Sequence, residues 1–200
     1  MTTALHHAAW LVALAAMAVP ALAGDKPAFE LALDIDQDGT MDRAVVIQDD
    51  GPAELYIYLR MGAEKPGPSR KPDFVRKALT EDRILDLEAK GKGSLAITSC
   101  FGCGACKSTE ETLTIVYRHG QFMVGGYSRS WDWGNRTSDN TVETMLGDCD
   151  INYMTGKATA STDLEEGKPV KGRFKPVPLK DWSYEKRPKV CDFLAGWTND

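Results

Sequence analysis

Apolar and polar residues alternate with period two over much of the chain, the repeat of a strand with one face turned to a core. Phe29-Glu30-Leu31-Ala32-Leu33 alternates, Arg43 to Gln48 holds the run Ala44-Val45-Val46-Ile47, and Leu55-Tyr56-Ile57-Tyr58-Leu59 suits a pleated strand with aromatic cross-strand partners. Three hairpins are predicted farther on. Arg83 to Ala89 and Leu95 to Ser99 flank Lys90-Gly91-Lys92-Gly93, and Leu113 to Tyr117 and Gln121 to Gly125 flank Arg118-His119-Gly120. The third joins Asp150–Met154 to Lys157–Ser161 around Thr155-Gly156, with Asn152 placed to cap the turn. Pro72 to Leu79 reads as a short helix with proline in its first turn. No period longer than the strand repeat is present. The pattern predicts an all-β fold: one compact antiparallel domain, as a sandwich, an open barrel or a propeller-like fragment.

The start of the chain breaks the pattern. An apolar run from Ala8 to Val19 is followed by Pro20 and the small-residue triplet Ala21-Leu22-Ala23. That is the form of a cleavable signal peptide over residues 1–23, although the segment has no Lys or Arg. The run is shorter than the ~20 apolar residues that a membrane span requires, and no later segment reaches that length. The expected product is a periplasmic or secreted protein, residues 24–200, with no integral membrane segment. It folds as one domain, with an N-terminal hairpin over residues 29–60 and a tail rich in proline and tryptophan over 168–200.

Charge and histidine content narrow the chemistry. The net charge of −5 disfavours a phosphate-binding surface and so excludes nucleic acid as the main partner. The one basic stretch, Lys65 to Lys77, is interrupted by Pro66, Pro68 and Pro72 and reads as a solvated loop. After the leader only His119 remains, so a zinc site built from several histidines is impossible, and a Ser-His or Cys-His nucleophile would need its imidazole at that one position.

The densest chemical signal is Asp34-Ile35-Asp36-Gln37-Asp38-Gly39-Thr40-Met41-Asp42. Carboxylates stand at the first, third, fifth and ninth places, glycine at the sixth where a sharp turn is required, and the Thr40 carbonyl at the seventh. Four carboxylates so close repel one another unless a hard cation with oxygen ligands neutralises them, and Ca2+ suits the array better than Mg2+. The predicted ligands are Asp34, Asp36, Asp38, Thr40 and Asp42. The loop departs from an EF-hand because strands flank it and Val45 holds the twelfth place. It resembles instead the calcium loops of FG-GAP and VCBS-type repeats, in which an ion sits at a strand-to-strand turn.

Cys100, Cys103, Cys106, Cys149 and Cys191 all follow the leader, and in an exported chain the expected partner of a cysteine is another cysteine. Pairing Cys149 with Cys191 would tie down the tail by closing a loop worth about 4 kcal/mol, while a bridge within Cys100, Cys103 and Cys106 would enclose few residues. The same triplet matches the opening of an iron-sulfur run, but its fourth cysteine is missing. A thiol-exchange motif would open a helix, where strands are predicted here. Trp131, Trp133, Trp182 and Trp197 are read as packing residues, with a sugar site as the alternative. Gly102-Cys103-Gly104-Ala105-Cys106, Thr114 to Arg118, Gly125-Gly126-Tyr127, Trp131-Asp132-Trp133 and Cys149 to Tyr153 also resemble exported proteobacterial proteins of the VCBS-repeat-containing type.

With no G-x-S-x-G elbow, paired-histidine motif or phosphate-cradling loop, the expected function is binding. The expected partner is a protein or a cell-wall glycan. The alternatives are an envelope enzyme, either a carboxylate-based hydrolase or a thiol-disulfide protein, and an inhibitor or immunity protein for an envelope-acting toxin.

Overall fold

In the computed structural model, residues 28–67, 69–105, 107–136, 142–162 and 165–192 are described. The alternating segments become two antiparallel sheets and the fold is all-β, as the pattern predicts. The first sheet is a meander of β1 (Phe29–Leu33), β2 (Asp42–Ile47), β3 (Glu54–Tyr58) and β4 (Phe74–Arg76). The second runs in chain order through β5 (Arg83–Ala89), β6 (Ser94–Phe101), β7 (Lys107–Arg118), β8 (Gln121–Arg136), β9 (Val142–Asn152), β10 (Lys157–Thr162) and β11 (Glu165–Pro169). A two-residue strand, β12 (Val177–Pro178), pairs with β8. The helix expected at Pro72–Leu79 is corrected to β4. Val75 is β-branched, and the edge of β3 offers backbone partners that a helix would leave unpaired: Asp73 N–H donates to the Ile57 carbonyl at 2.9 Å, and Phe74 pairs with Ile57. Once there, Phe74 packs against Phe122 of the second sheet, ring centres 4.9 Å apart.

Turn chemistry sets the register. Arg118 pairs with Gln121, and the two residues between them, His119 and Gly120, both have positive φ (52° and 77°), the conformation that a two-residue hairpin needs. Asn152 caps the next hairpin, its Oδ1 accepting the Thr155 N–H at 3.0 Å. Halfway along β8 the pairing slips: Thr114 faces Gly126 while Ile115 faces Val124, which leaves Gly125 as a bulge. The slip matters for packing, because Val124 and Tyr127 can then both face the core although they are three residues apart. It also ends one neighbour and admits another. Beside the bulge the paired part of β9 stops at Asn152 opposite Gly126, and β12 takes over with Val177 opposite Val124.

One apolar core joins the inner faces, with Ala44, Val46, Leu55 and Ile57 from the first sheet meeting Leu95, Ile115, Val124 and Ile151 from the second. Backbone bonds stitch the sheets together between Ala53 and the segment Leu79–Thr80. The Gln48 side chain adds to this by donating to the Asp82 carbonyl and accepting the Ile84 N–H. Four strands cannot cover seven, and the uncovered part of the inner face is closed by residues 177–192, called the strap below. Leu179 is fully buried, and Trp182 packs against Tyr127 and Tyr153. Arg76 hydrogen-bonds the Trp182 carbonyl, and Cys191 is disulfide-bonded to Cys149 on β9 with Cα atoms 5.5 Å apart.

Trp131 and Trp182 are thus core residues, as expected; the Trp133 side chain and Trp197 lie outside the described residues, as do the predicted leader and Cys106. Trp131 lies across Gly147, the residue opposite it on β9, and a Cβ at Gly147 would fall inside the indole ring. Gly147→Ala should therefore cost about 1–3 kcal/mol of unfolding free energy, read by urea titration, because the ring has to leave its position. Replacing Cys149 and Cys191 together by serine should lower the same quantity by about 4 kcal/mol through the loss of a long closed loop.

Candidate metal centre

The acidic loop joins β1 to β2 and turns through two left-handed residues, Gln37 (φ 62°) and Gly39 (φ 90°). Its own carboxylates organise the turn: Asp36 Oδ1 accepts the Asp38 N–H at 3.1 Å, and Asp34 Oδ2 accepts the Gly39 N–H at 3.1 Å. The last of them, Asp42, is the first residue of β2 and is completely buried. Its two oxygens accept the backbone N–H groups of Ile35 and Arg60, both at 2.8 Å, so that one carboxylate ties the loop entry to the end of β3. Burial pushes the Asp42 carboxyl above its ordinary range and the Asp36 charge adds to this, while the two N–H donors pull it back.

Asp34, Asp36 and Asp42 bring ligand oxygens within 4.8 Å of one another. Asp34 Oδ1 is buried and has no hydrogen-bond partner in the protein, whereas Asp34 Oδ2, Asp36 Oδ1 and both Asp42 oxygens each accept a backbone N–H and keep further lone pairs. Asp38 is turned elsewhere. Its oxygens take the Thr40 N–H at 2.7 Å and Arg60 Nε at 3.0 Å, and the Thr40 bond leads the influences that hold its carboxyl below the usual range. Thr40 enters the loop's bonding through that N–H. Of the residues predicted from the sequence, the structure therefore brings three carboxylates together, and Arg60, which no spacing rule singles out, draws the fourth aside. The donor set is all oxygen with three anionic groups, the chemistry of a hard divalent cation.

Cys100 is disulfide-bonded to Cys103, with Cα atoms 5.8 Å apart, and the pair lies at the end of β6 rather than at a helix terminus. His119, the histidine that nucleophilic catalysis would have required, occupies a hairpin turn. A second cluster of charge went unseen in the sequence. On β7, Glu111 faces inward and its side chain is only 10% exposed, while its neighbour Glu110 faces out. Glu111 Oε1 stands 3.4 Å from Arg129 Nε on β8, an ion pair without hydrogen-bond geometry. Arg129 is held in turn by Asp192 of the strap, which also pairs with Arg187 at 2.9 Å. Burial pushes the Glu111 carboxyl up against the opposing pull of the Tyr127 hydroxyl, Arg129 and Arg187, and burial pushes that hydroxyl far up, so that it stays neutral. The only sequence signal was the doublet Glu110-Glu111 in a strand, where alternation must send one carboxylate inward.

In metal-free buffer Asp42→Ala should lower stability by about 2–4 kcal/mol in urea titration, since two buried N–H groups lose their acceptor. Asp36→Asn should change it by no more than about 0.5 kcal/mol, because that side chain is partly solvated and loses only a like-charge neighbour. Compared with family models, curated proteins and solved structures, the chain finds no match in any of the three, so what the site does has to be argued from its own residues.

Proposed function

We propose that the protein is an exported binding module of the periplasm or extracellular space, stiffened by one calcium ion held in the Asp34–Asp42 loop. The observation that supports the ion is the convergence of three carboxylates within 4.8 Å around a fully buried Asp42 and an unsatisfied Asp34 oxygen. Three such charges raise one another's energy, and a divalent cation converts that repulsion into attraction. Asp34, Asp36 and Asp42 would hold it, with Asp38 and Thr40 completing the turn and remaining coordination places left to water or backbone oxygen.

Export is supported by the predicted leader and by two disulfides, bonds that persist in oxidising compartments. Among the described residues no helix is long and apolar enough to cross a membrane. A binding role is supported by what occupies the chemical positions. Four of the five cysteines are cross-linked, the histidine sits in a turn, and the Asp42 carboxylate is committed to backbone donors. The partner is a protein or a cell-wall glycan, and the excess negative charge disfavours nucleic acid.

The ion is tested by thermal unfolding with calcium and with a chelator. Calcium should raise Tm, by a linkage of about 2.7 kcal/mol at a hundredfold excess over Kd, and chelator should reverse it. Joint replacement of Asp36 and Asp38 by Asn should abolish the calcium response without loss of fold in chelator. No thermal shift up to about 1 mM calcium, the range of weak extracellular modules, refutes the ion.

A further inference from the structure

Where the strap crosses the inner face of β6, β7 and β8 it leaves a narrow cavity of about 30 Å3, walled by Ser99, Glu111, Tyr127, Trp182 and Tyr184. Leu79, Thr80 and Tyr184 also wall an outer groove of about 440 Å3, whose other residues include Glu81, Asp82, Phe101 and Glu185. The charged residues lining the two are Glu81, Asp82, Glu111 and Glu185, and no cation lines either. Arg129 and Arg187 stand behind them and are already engaged with Asp192. At the inner end Glu111 Oε1 is buried without a partner in hydrogen-bond geometry, and the buried Tyr127 hydroxyl interacts with the same carboxylate outside that geometry. At the outer end Phe101 is 65% exposed and Tyr184 40% exposed, the latter with one ring face already covered by the Arg187 guanidinium 4.0 Å from its centre.

We propose that this pocket binds a primary ammonium group on an unbranched apolar stem, either a lysine side chain of a partner protein or a free alkylamine. The head fits the chemistry of the inner end: an ammonium occupies about the volume of one water, donates three hydrogen bonds, and meets a carboxylate oxygen, a tyrosine hydroxyl and the Ser99 hydroxyl. An anion would be repelled by every charged residue of the lining. A divalent cation is disfavoured by geometry. Among the described residues only Asp34, Asp36 and Asp42 form a trio with ligand oxygens within 4.8 Å of one another, so no three carboxylates of the pocket converge on one ion. The stem would lie against Phe101 and Tyr184, covering their exposed surface. The head would also add a well-aligned donor to the buried Glu111 carboxylate, whose desolvation is offset only by the Tyr127 hydroxyl and by guanidinium groups without hydrogen-bond geometry. The site does not depend on the calcium reading, since no residue is common to the two.

Calorimetric titration of the protein with n-butylamine and with Nα-acetyl-lysine N-methylamide tests it, using n-butanol and the Nε-acetylated lysine derivative as uncharged controls. Binding of at least one amine, and of neither control, is expected. Preference for the lysine derivative identifies a partner protein as the source of the head, and preference for butylamine a free amine. Glu111→Gln should weaken amine binding about tenfold or more, the loss of one charge-assisted hydrogen bond. If that variant does not fold, Phe101→Ser at the exposed rim serves instead and should weaken binding at unchanged Tm. The proposal is overturned if neither amine binds, which would leave the cavity to water alone, if n-butanol binds as tightly as the amines, or if the folded variant binds them as the parent does.

Discussion

A sheet of seven strands faced by one of four is left with part of its apolar inner face open, and most of the molecule's particular features answer that mismatch. Strands lie about 4.8 Å apart, so three unmatched strands expose a band wide enough for a row of large side chains. The strap covers this band with Leu179 and Trp182, and its far end is held by Cys191 to Cys149 and by Asp192 to Arg129. Because the cover is a chain segment with two short 3-10 turns rather than a regular element, it does not fill the space beneath it completely. The inner cavity and the groove beside it are what remain.

Among the described residues two carboxylates, Asp42 and Glu111, are buried, and the fold treats them differently. Asp42 receives two backbone N–H groups in good geometry and so becomes a structural knot between the acidic loop and the end of β3. Glu111 receives a loosely placed guanidinium and the Tyr127 hydroxyl, neither in good hydrogen-bond geometry. A fully satisfied buried charge rigidifies its surroundings, whereas an incompletely satisfied one is costly to keep without a partner. That contrast separates the residue that shapes a site from the residue offered to a ligand.

The acidic loop is also placed to influence more than its own hairpin. Gln37, at its tip, donates to the Lys92 carbonyl at 3.4 Å in the β5–β6 turn, and its side chain lies where a Cβ on Gly93 would be. Ion binding at the loop would therefore stiffen a contact between the two sheets, at the end of β5 and β6 opposite to Phe101 and the pocket. The calcium proposal and the ammonium proposal thus describe one architecture: a cross-linked β-framework whose one loosely covered face is available to a partner.

The sequence by itself determined the class of fold, because side-chain alternation and turn chemistry are local. Phe29–Leu33, the paired turns at His119-Gly120 and Thr155-Gly156, and the Asn152 cap could all be read without knowing what they pack against. The acidic loop was legible for the same reason, its carboxylates lying within nine residues, and the Cys149–Cys191 pairing was a reasonable choice from loop length alone. Tertiary structure decided what depended on partners distant in the chain. It made Pro72–Leu79 a strand, since the free edge of β3 outweighed a weak helical preference, and it turned Asp38 toward Arg60, 22 residues away. It sent Glu111 inward and Glu110 outward through the register of β7 against β8, and brought Tyr127 and the strap around it. Period-two alternation states that one of two neighbouring carboxylates must be buried; only the packing of the second layer says which, and with what beside it.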